Sequence, residues 1–399
     1  MKWLYFAIKN IWRNRLRSIS SAWIITVGTS AILLGGGFML ATYDALTEMA
    51  IRAEGHVMVT APPTSGTPLL DHDRTLSLQK TLLNDPRVKR VLPRLHFEGM
   101  VINGNNARAF LGTGVDPEQE FKVHAPFLEI PSGDVLDIQA PAGATTPEVL
   151  LGDMLAQALQ ATTGTRLELM GVNSVGASTR QQVRVAGTYR TGTPEIDLHT
   201  LMVSLDTAQR IQKTDRISML SIYLHANHDS EVIKRSMGTE VDVSTWKERA
   251  ILYHDVRALY DRIFGAMGFI ILAVVFLSIF NTVSMTVLER LAEIGTMAAL
   301  GTGRRRILVN FVMEAILIAA VGVAVGIVVA GTVAMSIDWI GVMMPPPPGR
   351  SVGYPLYIYV SPIFYALSGA VIILVATTSA YVAAFRVTRI RITDALKNT

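Results

Sequence analysis

Residues Ile263–Leu288, IFGAMGFIILAVVFLSIFNTVSMTVL, run for 26 positions without a charged side chain. A helix needs roughly 20 apolar residues to cross a bilayer core of about 30 Å, so this segment alone predicts a membrane span. Working outward, three further stretches carry no charge: Ser18–Tyr43, Ala315–Ile337 and Ser351–Phe385. The composition of the 399 residues agrees, with 50% hydrophobic and 17% charged residues and a mean hydropathy of +0.36. Soluble domains carry roughly a quarter charged residues, so a soluble enzyme, a disordered chain and a fibrous protein are excluded. Cysteine is absent, which removes a disulfide framework, a haem attachment site and a thiolate metal site.

Charge sets the expected topology. Met1–Arg17 holds Lys2, Lys9, Arg13, Arg15 and Arg17 and no acid. The uncharged run that follows is too long for a cleaved signal peptide and reads as a retained first span. Glu289–Arg306 holds four basic residues and two acids, and the segment after Phe385 holds four basic residues and one acid. Short basic segments stay in the cytosol, so both termini and the middle loop are expected inside. The 219-residue excursion Asp44–Arg262 then lies outside, with 22 basic and 27 acidic residues. The overall charge of +4 thus reflects topology and the pull of anionic lipid headgroups, not nucleic-acid binding. The expected organisation is a cytosolic amphipathic helix 1–17, a first span 18–43 and a periplasmic α+β domain with helical stalks 44–262. A second span 263–288, a cytosolic loop 289–306, a third span 307–337, a Pro-rich outer loop 338–360, a fourth span 361–385 and a cytosolic tail 386–399 follow. The predicted fold class is an α-helical membrane protein with four transmembrane helices and a large α+β extracytoplasmic domain inserted between the first and second.

The excursion is long enough to bury its own core and mixes strand and helix patterns, so an α+β domain with two subregions is expected. Met100–Ile102 and Ala107–Leu111 flank Asn103-Gly104-Asn105-Asn106, a hairpin signal. Arg166–Met170, Gln182–Ala186, Ser218–Leu224 and His56–Thr60 read as strands, and Leu150–Gln160, Asp206–Gln212 and Glu231–Met237 as helices. Ala61–Pro68 and Pro141–Pro147 read as loops. Ser244-Thr245-Trp246-Lys247-Glu248 resembles a helix start, and no proline intervenes before Leu288. One helix of about 40 residues, twice what a span needs, is expected from the outer domain through the membrane, and Tyr43–Arg52 extends the first span outward.

The most informative motif follows the second span: Leu288-Glu289-Arg290-Leu291-Ala292-Glu293-Ile294-Gly295-Thr296-Met297-Ala298-Ala299-Leu300-Gly301. Ile294, Met297 and Ala298 share one helical face and Glu289 and Glu293 another. Gly301 and Gly303 end the helix before Arg304-Arg305-Arg306. Such a segment reads either as a simple surface turn or as a coupling helix that inserts into a cytosolic partner. Residue by residue it resembles the FtsX-like permeases of the lipoprotein-release and macrolide-exporter class. Their loop has Glu-Arg, a short gap, Glu-Ile-Gly, a small-residue run to Ala-x-Gly, then a basic cluster and Ile. Glu289, Arg290, Glu293, Ile294, Gly295, Ala299, Gly301, Arg304, Arg305 and Ile307 fit this pattern, and Phe311 and Glu314 match as the third span begins. Ala7–Arg17 resembles the family's opening amphipathic helix. The tail departs from the family, because Arg391–Leu396 lacks the proline that usually precedes its Ala-Leu pair.

The resemblance implies a permease energised by a cytosolic ABC ATPase dimer, with ATP and magnesium bound on that partner and no cofactor in this chain. It implies a second permease, identical or a sister subunit, and contact with membrane lipids. It assigns ATPase coupling to Glu289, Arg290, Glu293, Ile294, Gly295, Met297, Ala299 and Gly301, and an interfacial position to Arg304, Arg305, Arg306 and Glu314. No G-x-x-x-x-G-K-[ST] occurs to cradle nucleotide phosphates, so any motor is a separate chain and this chain is not expected to be an enzyme. That favours lipoprotein release, with a periplasmic lipoprotein or its carrier as partner. An efflux pump of the MacB type with a periplasmic adaptor, and a transmembrane regulator of a cell-wall hydrolase, are the alternatives.

Other constellations read plainly. Gly35-Gly36-Gly37 and Gly322-x-x-x-Gly326 allow close helix approach within the chain or in a dimer. Met343–Gly349, with four prolines, reads as a stiff extended connector. His225 and His228 lack a third ligand at metal-site spacing, and Ser174 in Gly171–Gly176 is one residue off the nucleophile elbow.

Overall fold

The computed structural model describes residues 15–62, 68–124, 129–137, 146–173, 176–226, 229–237, 241–290, 296, 303–345 and 353–388. Most of the N-terminal amphipathic segment, the coupling-loop residues Glu293, Ile294, Gly295, Met297, Ala299 and Gly301, the Pro346–Gly349 connector and the tail from Arg389 lie outside the described residues. So do Ser174, His228 and most of the two Pro-containing loops 61–68 and 141–147. The chain divides into two units, one of Met1–Ala45, His254–Met343 and Pro355–Thr399, the other of Leu46–Tyr253 and Met344–Tyr354.

In chain order the helices are α1 (Arg15–Glu54), α2 (His72–Leu83), α3 (Pro117–His124), α4 (Asp153–Leu159), α5 (Pro194–His199), α6 (Leu205–Gln212), α7 (Ser230–Ser236), α8 (Trp246–Arg249), α9 (Ile251–Glu289), α10 (Arg304–Ile340) and α11 (Pro362–Thr388). The strands of the large sheet are β1 (Val57–Thr60), β2 (Val88–Asn103), β3 (Asn106–Val115), β4 (Glu129–Gly133), β5 (Glu148–Gly152), β6 (Arg166–Val172), β7 (Ser178–Arg190), β8 (Thr200–Ser204), β9 (Met219–Leu224) and β10 (Asp242–Thr245).

The first unit contains α10, α11 and most of α1 and α9. These four helices are long and apolar enough to cross a membrane. Many of their large apolar side chains are exposed, among them Trp23, Phe269, Met335 and Trp339, as expected for surfaces solvated by lipid. Their mutual contacts use small residues. Ala376, Ala380, Ala383 and Ala384 of α11 are fully buried against a cluster that includes Val275, Phe311 and Ala319. The Gly322-x-x-x-Gly326 motif packs within the chain, against α1. A Cβ on Gly322 would lie 2.8 Å from the Cβ of Ile25, and one on Gly326 would lie 2.6 Å from the Cβ of Thr29. The close approach lets Thr26 and Ser30 donate their hydroxyls to the carbonyls of Gly322 and Gly326, each at 3.1 Å. Interhelical hydrogen bonds and small-residue contacts are what hold helices together where lipid supplies no hydrophobic drive.

The second unit is α+β. Its sheet runs β10-β1-β9-β2-β3-β8-β5-β7-β4, and β6 bridges β2 and β7. The pairings β2-β3-β8-β5-β7-β6 return to β2 and close a ring. Its interior is filled by Phe97, Val101, Phe110, Leu151, Leu169, Val183 and Val203, together with Leu155 and Leu159 of α4. The first half of β2 pairs instead with β9, and there a second core of Val57, Val91, Leu220 and Ile222 gathers Leu82 of α2 and Ile233 of α7. The long β2 therefore belongs to two cores.

The Asn103–Asn106 hairpin forms with those residues paired across a two-residue loop, and Gly104 takes φ +58°. Two sequence expectations are corrected. Leu150 and Leu151 belong to β5, fully buried between β7 and β8; a short apolar run does not distinguish helix from buried strand. The helix expected from Lys247 is interrupted. α8 ends at Ala250, whose ψ of +65° breaks the run, and α9 begins at Ile251.

Candidate functional site

The second membrane helix ends in Glu289-Arg290, and these neighbours reach different helices. Glu289 takes a two-pronged ion pair from Arg17 in the first turns of α1. Arg17 Nη2 donates to Glu289 Oε1 at 2.6 Å, and Nη1 donates to Oε2. Both side chains are partly exposed. Arg290 turns inward and is 7% exposed, with its Nη1 3.9 Å from Oε2 of Glu314 on α10. Consecutive helical residues point about 100° apart, which is how one dipeptide holds two neighbours. Ser21 and Thr282 add a hydroxyl contact of 3.0 Å between α1 and α9. Beside these groups is a narrow cleft of about 30 Å³, lined by Arg17, Ser21, Thr286, Phe311 and Glu314. That is room for about one water.

Glu289, Arg290 and Glu314 are thus brought together with Arg17 at one end of the helices. A bidentate guanidinium–carboxylate pair fixes geometry as well as charge. The Arg290–Glu314 pair is different in kind, because both partners are removed from solvent. At 3.9 Å the attraction of a buried pair offsets desolvation only in part, and loss of one partner leaves a buried charge. Arg290 Nη2 is buried without a hydrogen-bond acceptor among the described residues. Glu314 faces Arg290, and Arg305 and Arg306 are exposed. The remaining coupling residues Glu293, Ile294, Gly295, Met297, Ala299 and Gly301 lie outside the described residues.

Sequence reasoning missed a second polar constellation, in the outer unit. Arg94 of β2 is 4% exposed. Its Nη1 donates to the carbonyl of Ala53 at 2.7 Å and its Nη2 to Glu120 at 2.7 Å and to the Tyr223 hydroxyl at 3.0 Å. Tyr223 in turn donates to the carbonyl of Arg52 at 3.0 Å. Ala53 and Arg52 are in the last turn of α1, where carbonyls have no helical donor and a cation is favoured by the helix dipole. Burial pushes the Tyr223 phenol up to about 12, against the opposing pull of Arg94. The only trace in the sequence is an arginine inside the apolar strand Val91-Leu92-Pro93-Arg94-Leu95.

Comparison with known proteins decides the family. The family model described as MacB-like periplasmic core domain matches residues 18–238, and the one described as FtsX-like permease C-terminal matches residues 265–392. The chain belongs to the FtsX-like permease family with a MacB-like periplasmic core. The permease is 25% identical over 317 residues to the lipoprotein-releasing system transmembrane protein LolC of Xylella fastidiosa, covering 76% of this chain and 72% of that protein. It is 21% identical over 335 residues to LolE of Haemophilus influenzae, covering 79% and 78%. The periplasmic region of MacB from Actinobacillus actinomycetemcomitans is similar over 50% of this chain and 92% of that one, with 16% identity and a TM-score of 0.37. The permease is therefore a multi-pass membrane protein of the LolC/E-like or MacB-like ABC transporter class.

Proposed function

We propose that the permease transmits the work of a separate cytosolic ABC ATPase dimer to its outer domain, and that this drives release of a lipid-anchored protein from the membrane. The observation that carries the reading is the pair of ion bridges by which Glu289 and Arg290 tie the base of the 291–302 loop to α1 and α10. A partner that seats on this loop pushes on three helices at once. The bridges make the push a common displacement instead of a local bend. α1 and α9 are each far longer than a bilayer crossing requires, and the Arg94 constellation grips the last carbonyls of α1. A rigid helix anchored at its far end is suited to carry that displacement outward.

In this reading ATP and magnesium act on the ATPase, and a second permease, identical or a sister subunit, completes the assembly. Both termini lie in the cytosol and the 44–262 domain in the periplasm of a bacterial inner membrane. Substrate leaves from the outer leaflet to a periplasmic carrier without crossing the bilayer. Relatives named for lipoprotein release support this choice of cargo. The MacB-like core over residues 18–238 favours a second reading, an efflux pump whose periplasmic partner is an adaptor. Reconstituted permease with its co-purifying ATPase, assayed for ATP-dependent release of a lipoprotein to a soluble carrier, tests the first. Release supports it, and ATP hydrolysis without release in the presence of carrier counts against it.

A further inference from the structure

Within the membrane unit, α1 and α9 meet at a series of points from one end of the crossing to the other. At one end Arg17 donates to Glu289, and Ser21 meets Thr282 at 3.0 Å. Further along, a Cβ on Gly28 would lie 3.1 Å from a methyl of Val275, and one on Gly35 would lie 2.9 Å from Cε of Met267. Phe38 then meets Phe264, with ring centroids 6.2 Å apart. The partners on α9 fall in number as those on α1 rise, so the two helices run antiparallel. Ser21, Gly28 and Gly35 recur every seven residues, the repeat that keeps one seam of a helix turned towards a partner. Small residues on such a seam let membrane helices approach closely.

The far end of the seam is a polar clasp. The Tyr43 hydroxyl donates to Asp261 Oδ1 at 2.6 Å, and the carbonyl oxygen of Arg257 is 3.3 Å away. The Arg257 guanidinium stands over the Tyr43 ring, 5.3 Å from its centroid. A hydroxyl bonded to a carboxylate at this distance is among the stronger hydrogen bonds, and Tyr43 is 9% exposed, which keeps competing water away. From Arg17 to Tyr43 the helix rises about 39 Å, close to the roughly 40–45 Å of a bilayer with its headgroups. The two polar contacts therefore bracket a bilayer, with the small-residue seam between them. Sliding α9 along α1 by one helical turn, about 5.4 Å, breaks both.

We infer that Tyr43 is a positioning residue: through Asp261 it locks α1 and α9 in register, so that the two helices travel as one strut. The use of the strut rests on the coupling role proposed above; the lock itself does not.

The chain has no cysteine, so introduced thiols are the only ones present. Ala45→Cys and Ala258→Cys, both at exposed positions, carry spin labels near the clasp on α1 and α9 of the full chain in nanodiscs. Pulsed dipolar spectroscopy should give one narrow distance. With the co-purified ATPase trapped by ATP and vanadate, that distance should stay within about 1.5 Å, the rise of one residue. Tyr43→Phe, which removes only the hydroxyl, should raise the fraction at other distances about tenfold, since a hydrogen bond to a charged group contributes at least that factor. It should also lower lipoprotein released per ATP hydrolysed several-fold at unchanged ATPase association. In unlabelled Tyr43→Phe, a disulfide between Gly28→Cys and Val275→Cys, whose Cβ atoms are within disulfide reach, should restore that ratio, and dithiothreitol should undo the rescue. A nucleotide-dependent shift in the wild-type distance overturns the strut, as does a disulfide that fails to restore release. A wild-type distance distribution in Tyr43→Phe overturns the lock, and this arm decides it even where no ATPase binds and the coupling reading itself fails.

Discussion

Arg290 and Glu314 are the residues at which charge and burial conflict most directly. Each is buried and each is the other's counter-charge. Glu314→Gln or Arg290→Met alone should lower stability by about 3 kcal/mol, because an uncompensated charge stays buried. The double variant Arg290→Met with Glu314→Met should lie closer to wild type than either single change. Thermal unfolding of the purified permease in detergent measures both. In the outer domain, Arg94→Met removes the donor to Ala53 and the buried counter-charge of Glu120, and a loss of about 3 kcal/mol is expected there. Tyr223→Phe should cost about 1 kcal/mol. The phenol also sets an alkaline limit. Its pKa is near 12 in the folded domain and about 10 when unfolded, so the folded state keeps the proton longer. The Tyr223 contribution is complete below pH 10 and is lost as pH rises towards 12. The ultraviolet phenolate absorbance of wild type minus Tyr223→Phe should titrate near 12, and a midpoint near 10 would contradict the buried position.

At the scale of elements, α1 is held to α10 by Gly322 and Gly326 and by hydroxyl bonds onto their carbonyls. Gly326→Leu puts a branched side chain where even a Cβ is too close to Thr29. It should separate these helices and reduce ATP-dependent release by more than tenfold, while ATPase association survives; wild-type release in this variant would show that the contact is dispensable. The four spans were legible because nothing else explains uncharged runs of that length. Their partners were less so. Glu289, Arg290 and Glu314 stood out in the sequence, but the contact of Glu289 with Arg17 joins positions 272 residues apart, and local pattern carries no such information. The Leu150-Leu151 strand was read as helix because burial on both faces erases periodicity. The break at Ala250 has neither glycine nor proline to announce it. Arg94 was overlooked because its acceptors, backbone carbonyls of α1, have no side-chain signature.

At the scale of the molecule, the chain divides into a membrane unit and a domain with two cores, and α1 and α9 are each about twice the length a span needs. The 289–301 segment is the proposed seat of a separate ATPase. Gly295 is the position where added bulk and charge should do most damage to that contact. The most direct measurement is affinity purification of wild-type permease and Gly295→Arg from native membranes in mild detergent, with mass spectrometry of the bound proteins. The account predicts an ABC ATPase bound to wild type and depleted at least tenfold from Gly295→Arg, at equal permease yield. Wild-type permease that brings down no ATPase, or Gly295→Arg that retains it in full, would contradict the coupling assignment.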